Sequence, residues 1–229
     1  MNTPYDQVAV VIPALNEAES LPHVLRAMPE VGCVFVIDNG STDATPDVAR
    51  AAGATVIDQP DRGYGNACQA GIAAAIRAGA PIIVILDGDY SFAPEEMHRL
   101  IQPIVDDQAD MVLGDRTRDA EPGSLTLPQR VGNFVATRMI HLASGFQYRD
   151  MGPFRAIRTT TLIAMDMEDP NYGWNVEMQL KAVKQGHRVI EVPVTCRNRI
   201  AGQSKISGSI PSALRCGAKM MLATLRYAR

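Results

Sequence analysis

The chain has 229 residues, 46% hydrophobic and 21% charged, with a net charge of −3; these figures fit one sizeable globular domain and exclude a disordered or fibrous chain. Met1 to Gln7 is polar without a basic start, and the longest apolar stretch, Ala70–Leu86, is broken by Arg77 and Pro81, so neither a signal peptide nor a spanning helix is expected. Cys33, Cys68, Cys196 and Cys216 form no CxxC pair and the four histidines are scattered, which argues against a zinc centre and for reduced thiols in a cytoplasmic protein.

The first half alternates strand-like and helix-like segments. Val8–Ile12 predicts a strand; Ser20, with Pro22 behind it, offers the cap of a helix. Val34–Ile37 predicts a second strand, followed by a helix capped from Ser41 to Asp43 and running through Arg50. Ala54–Ile57 is a short third strand, Asn66–Ala78 an alanine-rich helix, Pro81–Leu86 a fourth strand, and Pro94 opens a helix to about Val105. Met111–Leu113 closes the series as a fifth strand. Repeated strand–helix units specify a mostly parallel sheet with helices on both faces.

The second half is less regular. Arg116–Pro128 reads as a turn-rich, mobile segment, Val131–Ala143 as a helix stopped by Gly145, and Phe154–Ile157 as a strand. Trp174–Lys184 reads as a helix, Val189–Val194 as a strand, Asn198–Ser209 as a polar loop, and Ile210–Tyr227 as a final helix. After Glu191 there is no acid but seven basic residues from Arg197 to Arg229, leaving −10 on residues 1–191 and +7 on the tail. That tail is either a solvated basic helix or a positive lip for a phosphorylated acceptor or an anionic membrane surface. The apolar positions of the last helix, Ile210, Leu214, Met221, Leu222 and Leu225, suit core packing first and a peripheral membrane contact second. The tail has no interleaved aromatics apart from Tyr227, so nucleic acid is not an expected partner.

Chemistry concentrates where the strands end. The fourth, Ile82-Ile83-Val84-Ile85-Leu86, stops at Asp87-Gly88-Asp89. Two acids at the carboxyl end of a buried strand repel each other unless a cation lies beside them. A hard divalent ion shared with substrate phosphates, Mg²⁺ or Mn²⁺, would resolve the conflict. The first strand ends in Pro13-Ala14-Leu15-Asn16-Glu17, the second in Asp38-Asn39-Gly40-Ser41-Thr42-Asp43, and the fifth in Gly114-Asp115-Arg116; the third leads into Asp61-Arg62-Gly63-Tyr64-Gly65-Asn66. Asp38 can accept the N–H of a nucleobase, Arg62 can stack on the base or meet a phosphate, and Gly63 and Gly65 let backbone amides approach a ligand. The glycine turn is neither a Walker A loop nor a dinucleotide fingerprint.

Taken in order, Val-Ile-Pro-Ala-Leu-Asn-Glu (11–17), Asp-Asn-Gly-Ser-Thr-Asp (38–43), Arg-Gly-Tyr-Gly-Asn-Ala (62–67) and Asp-Gly-Asp (87–89) resemble the motifs of family 2 inverting glycosyltransferases. The branch most resembled includes dolichol-phosphate mannose synthase and its polyprenyl-phosphate relatives. The likeness continues in Asp150-Met151-Gly152-Pro153-Phe154-Arg155 and in Arg199-Ile200-Ala201-Gly202-Gln203-Ser204-Lys205. It implies a glycosyltransferase A-type, Rossmann-like fold. Residues 1–115 would hold the nucleotide sugar, 116–208 would form the acceptor side, and 209–229 would be a basic amphipathic helix. It implies a nucleoside-diphosphate sugar donor, linked to GDP or UDP, with Pro13, Asn16, Glu17, Asp38, Arg62, Gly65, Asp87, Gly88 and Arg116 on the donor side. Asp87 and Asp89 would hold Mg²⁺ or Mn²⁺, Asp150 would lie near the acceptor, and Arg199 and Lys205 would hold phosphate oxygens.

Four departures from the resembled motifs stand out. Asn39 replaces an expected second aspartate, Ser91 stands where relatives often carry a metal-binding glutamine, Asp115 replaces a serine, and Gly152-Pro153-Phe154 is a variant of the Gly-Phe acceptor motif. The expected activity is transfer of a hexose to a polyprenyl or dolichyl phosphate, an acceptor already ionised. A hydroxyl acceptor would instead need a base, for which Glu177 and Asp150 are the candidates. Trp174 is either core or a platform for a sugar ring. A sugar nucleotidyltransferase is disfavoured by the turn at 13–17, and a non-catalytic nucleotide-binding protein by the intact acids. A cytoplasmic location follows, leaving open a site at the membrane face, a membrane-embedded partner and a homodimer.

Overall fold

The alternation of side chains along a strand places Val8, Val10 and Ile12 on one face of a sheet and Ala9 and Val11 on the other, and all five are fully buried. Burial on both faces explains why the strand is apolar without a break. The computed structural model describes residues 5–201 and 210–227. Its elements run β1 (Val8–Ala14), α1 (Leu21–Ala27), β2 (Cys33–Asp38), α2 (Thr45–Ala51), β3 (Thr55–Asp58), α3 (Tyr64–Arg77) and β4 (Ile82–Ile85). A 3₁₀ turn at Pro94–Glu96 leads into α4 (Met97–Val105), followed by β5 (Met111–Ala120) and α5 (Leu127–Ser144). The chain continues as β6 (Arg155–Arg158), α6 (Thr159–Met165), α7 (Trp174–Lys184), β7 (Val189–Cys196) and α8 (Ile210–Tyr227).

The seven strands form one sheet in the order β3-β2-β1-β4-β6-β5-β7. β6 alone is antiparallel, lying between β4 and β5. Because β5 is antiparallel to β6, it points the same way as β4, and the ends of β1 to β5 reach one edge as the sequence predicts. One core lies between the sheet and α3, α5 and α7, centred on Val11, Ile37, Ile85, Leu113 and Trp174. The other lies on the opposite face, where Ile12, Val84, Val112 and Phe154 meet Leu21, Leu100 and Ile104 of α1 and α4.

Five features differ from the sequence reading. Ser20 does not cap α1; its hydroxyl lies 2.9 Å from both the Glu17 carboxylate and the Gly88 carbonyl, tying the turn after β1 to the turn after β4. β5 does not stop at Leu113 but runs to Ala120, with an irregularity between Asp115 and Asp119, because β7 pairs with it on both sides of that irregularity. Hence 116–120 is strand, and α5 begins four residues before the predicted start, at Leu127 behind a Thr126–Gln129 capping box. The short helix α6 carried no periodic signal and was not expected. Of the apolar positions expected as core in α8, Met221, Leu222 and Leu225 are exposed, and Ala223 and Tyr227 join the core instead; the side chains of Ile210 and Leu214 lie outside those described.

Candidate active site

A cavity of about 350 Å³ opens at the carboxyl edge of the sheet. Its walls come from the turn after β1 (Pro13, Leu15, Glu17), from Asn39 after β2, from Arg62, Gly63 and Tyr64 at the start of α3, and from Asp87, Gly88 and Asp89 after β4. Arg199 and the pair Asn171–Tyr172 complete it. The expected convergence of separate turns on one site is present.

Several of the named residues support the wall rather than form it. Asn16 adopts a left-handed backbone (φ 53°), which asparagine tolerates. Its amide donates to Ser41 Oγ at 3.0 Å, and its Oδ1 accepts the Thr42 amide at 2.7 Å, so it pins the first turn to the second. Asp38 is buried and accepts the Ser41 amide at 3.1 Å; it does not line the cavity. Asn39 does work that aspartate could not. Its Nδ2 donates to the carbonyls of Gln59 (2.9 Å) and Asp61 (3.0 Å), and its Oδ1 accepts the Gly63 amide at 2.8 Å. An aspartate there would lose both donated bonds.

Gly65 is required for a different reason from the one the sequence suggests. A Cβ there would lie 1.9 Å from the Asp169 carbonyl oxygen, and one at Gly63 (φ 147°) would lie 2.2 Å from that of Pro170. The close approach is to the 169–170 backbone, not to the cavity, and it brings Asn171 and Tyr172 into the site. Nothing in the local sequence marks that pair; Tyr64 was visible within Arg-Gly-Tyr-Gly but not assigned.

The acids are unequally satisfied. Asp89 is 3% exposed. Its Oδ1 accepts the Ser91 amide (2.9 Å) and hydroxyl (2.6 Å), and its Oδ2 forms a close ion pair with Arg199, whose other nitrogen lies 3.8 Å from Glu17. Among the described residues Asp87 meets only the Tyr64 hydroxyl, at a long 3.4 Å. Burial first, and then the neighbouring Asp89 charge, push the Asp87 carboxyl up to about 7, although Arg199 and Arg116 oppose the rise. Burial also raises the Tyr64 hydroxyl well above its usual value. Asp87, with open coordination beside the Arg199-paired Asp89, suits a divalent cation that takes its remaining oxygens from a bound diphosphate. Among the described residues there is no group of three or more side chains able to hold a metal by themselves.

Arg116 and Asp150 lie beside this cavity. Arg116 reaches Asp150 through its side chain (3.0 Å) and its backbone amide (3.0 Å), and Met151 N donates to the same carboxylate at 2.7 Å. Asp150 is fully buried. Both line a second cavity of about 650 Å³, which Arg130, Arg138, Arg149 and His141 also border. Arg130 and Arg138 lie eight residues apart on α5 and were not assigned from the sequence. Glu177 is fully buried and away from both cavities. Its carboxylate accepts the amides of Glu168 (2.8 Å) and Asp169 (2.7 Å) and pairs with Lys181 at 2.7 Å. It braces a loop and is not placed to take a proton from an acceptor, which corrects the expectation of Glu177 as base. Trp174, 1% exposed, is core and not a sugar platform. Lys205 lies outside the described residues.

The edge cavity with paired acids lies on a mostly parallel sheet of glycosyltransferase A-like fold. Residues 9–162 match the model of Glycosyl transferase family 2, and the chain belongs to that family. It is 36% identical over 211 residues to an uncharacterized glycosyltransferase of Mycobacterium tuberculosis, covering 91% of this chain and 94% of that one. It is 33% identical to the undecaprenyl-phosphate mannosyltransferase of Micrococcus luteus, over 89% of each chain. Identity is 32% to the dolichyl-phosphate hexose transferase of Haloferax volcanii, over 88% of this chain and 87% of that one. Among solved structures, glucosyl-3-phosphoglycerate synthase from Mycobacterium tuberculosis, in complex with Mn²⁺, UDP and its product, matches with a TM-score of 0.74. There the identity is 19%, over 96% of this chain and 79% of that one, and the likeness is one of fold. No helix among the described residues is long and apolar enough to cross a membrane.

Proposed function

We propose that this family 2 glycosyltransferase moves a hexose, with inversion, from a nucleoside-diphosphate sugar to a polyprenyl or dolichyl phosphate, using Mg²⁺ or Mn²⁺. The observation that carries the donor half is the under-satisfied Asp87, next to Asp89 on a cavity wall shared with Arg62 and Arg199. Asp87 and Asp89 would hold the cation, whose chemistry there is to neutralise the charge of the departing diphosphate. Arg62, held at 3.2 Å to the Gly40 carbonyl, lies where a base or phosphate would meet it. Arg199 supplies positive charge to the cavity, and Gly88 lines the same wall.

The acceptor half follows from what the candidate bases are doing. Asp150 is engaged by Arg116 and Met151, and Glu177 by Lys181 and two amides. A hydroxyl nucleophile would need one of them free. An ionised phosphate needs none; it needs cations to orient it. Arg116 and Arg130 on the wall of the second cavity meet that requirement. The relatives from Micrococcus luteus and Haloferax volcanii, named for undecaprenyl and dolichyl phosphate, support the same acceptor class. The exposed Met221, Leu222 and Leu225 of α8, with Lys219 and Arg226 among them, support a peripheral contact with an anionic membrane surface.

Thermal shift with UDP and with GDP, each with and without Mn²⁺, tests the donor site. One nucleotide is expected to raise Tm only when Mn²⁺ is present. No shift with either, metal present, would remove the donor reading. Radiolabelled transfer to a short polyprenyl phosphate and to the matching alcohol tests the acceptor, and label on the alcohol alone would overturn the phosphate reading.

A further inference from the structure

The end of β7 is fastened across the turn that carries Asp89. Thr195 donates through its amide to Glu96 at 2.7 Å, with its hydroxyl 3.1 Å from the same carboxylate. Cys196 bridges to Phe92. Arg197 donates its amide to the Ser91 carbonyl at 2.8 Å, and its guanidinium forms a close ion pair with Glu95. That guanidinium also stands over the Tyr90 ring, 5.0 Å from its centroid, with the His23 ring 5.8 Å from that of Tyr90.

Tyr90 has a left-handed backbone, φ 60°. A bulky side chain rarely adopts that conformation, and it persists only where surroundings enforce it. Here it has a consequence for Asp89. The reversal at Tyr90 folds Ser91 back so that its amide and hydroxyl both reach Asp89 Oδ1. Those two donors fix the rotamer of the carboxylate. Arg197 touches both halves of the turn, the ring of Tyr90 and the carbonyl of Ser91. None of its contacts is with the cavity itself.

We infer that Arg197 is a positioning residue for Asp89: it holds the Tyr90–Ser91 turn in its left-handed form and thereby aims the Asp89 carboxylate into the donor cavity. The inference rests on the proposed donor site. It gives Ser91 a role, orienting the ligand carboxylate. Groups that orient a metal-binding side chain typically change metal affinity about 10–100-fold when lost.

The test is Mn²⁺ uptake, read from the electron paramagnetic resonance of the free ion, with UDP and separately with GDP. Wild type is compared with Arg197→Met, Arg197→Lys, Tyr90→Gly and the Arg197→Met/Tyr90→Gly double variant, each checked for folding by circular dichroism. Arg197→Met is expected to weaken Mn²⁺ binding about tenfold. Arg197→Lys, which keeps a cation over the ring, is expected to recover most of that loss. In the Tyr90→Gly background, Arg197→Met is expected to cost less than half as much on a logarithmic scale, because glycine takes positive φ without enforcement. Undiminished affinity in Arg197→Met, or an equal loss in both backgrounds, overturns the inference. If Arg197→Met does not fold, Arg197→Lys binding tenfold more weakly than wild type, with no relief from Tyr90→Gly, overturns it equally. Wild type that takes up no Mn²⁺ with either nucleotide overturns the proposed donor site, and this inference with it; wild-type uptake alongside an unaffected Arg197→Met leaves the donor site standing and removes only the inference.

Discussion

The two edges of the sheet treat their acids in opposite ways. At the amino edge, Asp107 and Asp110 meet Arg158 and Arg188 in a closed network. Arg188 Nη2 lies 2.7 Å from Asp107 and 2.8 Å from Asp110, Arg158 Nη2 lies 2.8 Å from Asp107, and the Arg188 amide donates to Asp110 at 2.8 Å. The Arg188 hydrogen bonds hold the Asp110 carboxyl down to about 2. At the carboxyl edge, Glu17, Asp87 and Asp89 share a cavity in which Arg199 pairs with Asp89, and Asp87 is left with a long contact to Tyr64 and a carboxyl near 7. Both edges perturb their acids, but only one leaves charge for an incoming ligand to satisfy. A folded chain keeps such conflict where it serves binding and resolves it elsewhere.

The sharpest way to break this contrast is Asp89→Asn. Removal of one of two anionic ligands is expected to weaken Mn²⁺-dependent nucleoside-diphosphate binding by roughly 100-fold, or about 2.7 kcal/mol, with the fold intact by circular dichroism. Calorimetric titration with Mn²⁺ present reads the loss directly. Binding within about threefold of wild type would mean that the strained edge is not the donor site.

The parts of this contrast legible in the sequence were those written in one segment. The β4 run ending in Asp87-Gly88-Asp89 identifies strand, edge and acids together, because burial on both faces demands an unbroken apolar run and a site demands its abrupt end. The strand–helix alternation likewise fixed the parallel half of the sheet. What escaped was written across segments. The extension of β5 through Arg116–Ala120 exists only because β7 pairs with it. Those residues, charged and exposed, have no strand signal of their own. Gly65 looked like a ligand-facing glycine because the 169–170 backbone that crowds it lies about a hundred residues away in the chain. Glu177 looked like a solvated or catalytic carboxylate because its two amide partners come from a loop that the sequence does not place.

Glu177 also sharpens the contrast. It is a buried acid whose charge is fully answered, so its loss should register in stability and not in donor binding. Glu177→Gln keeps the shape but sets an amide group against two backbone N–H donors and Lys181. Urea denaturation is expected to show a loss of about 2 kcal/mol, with Mn²⁺-dependent nucleotide binding at 25 °C unchanged. A variant as stable as wild type but defective in binding would move Glu177 from the brace to the site.

The amino-edge network gives the smallest effect and the clearest sign. The folded-state pKa of Asp110 is depressed to about 2, below its unfolded value of about 3.9, so the folded protein binds this proton less tightly than the unfolded chain. Its contribution to stability is therefore fully present above about pH 4 and is lost as pH falls toward about 2. Both partners are partly exposed, with Arg188 47% and Asp110 17% accessible, and solvent screening keeps the contribution modest. Asp110→Asn is expected to lower Tm by a few degrees near neutrality, and the gap from wild type is expected to close progressively below about pH 4. A gap that stayed constant through that acid limb would show that the carboxyl is not held by Arg188, and that the quiet edge of the sheet owes its order to backbone pairing alone.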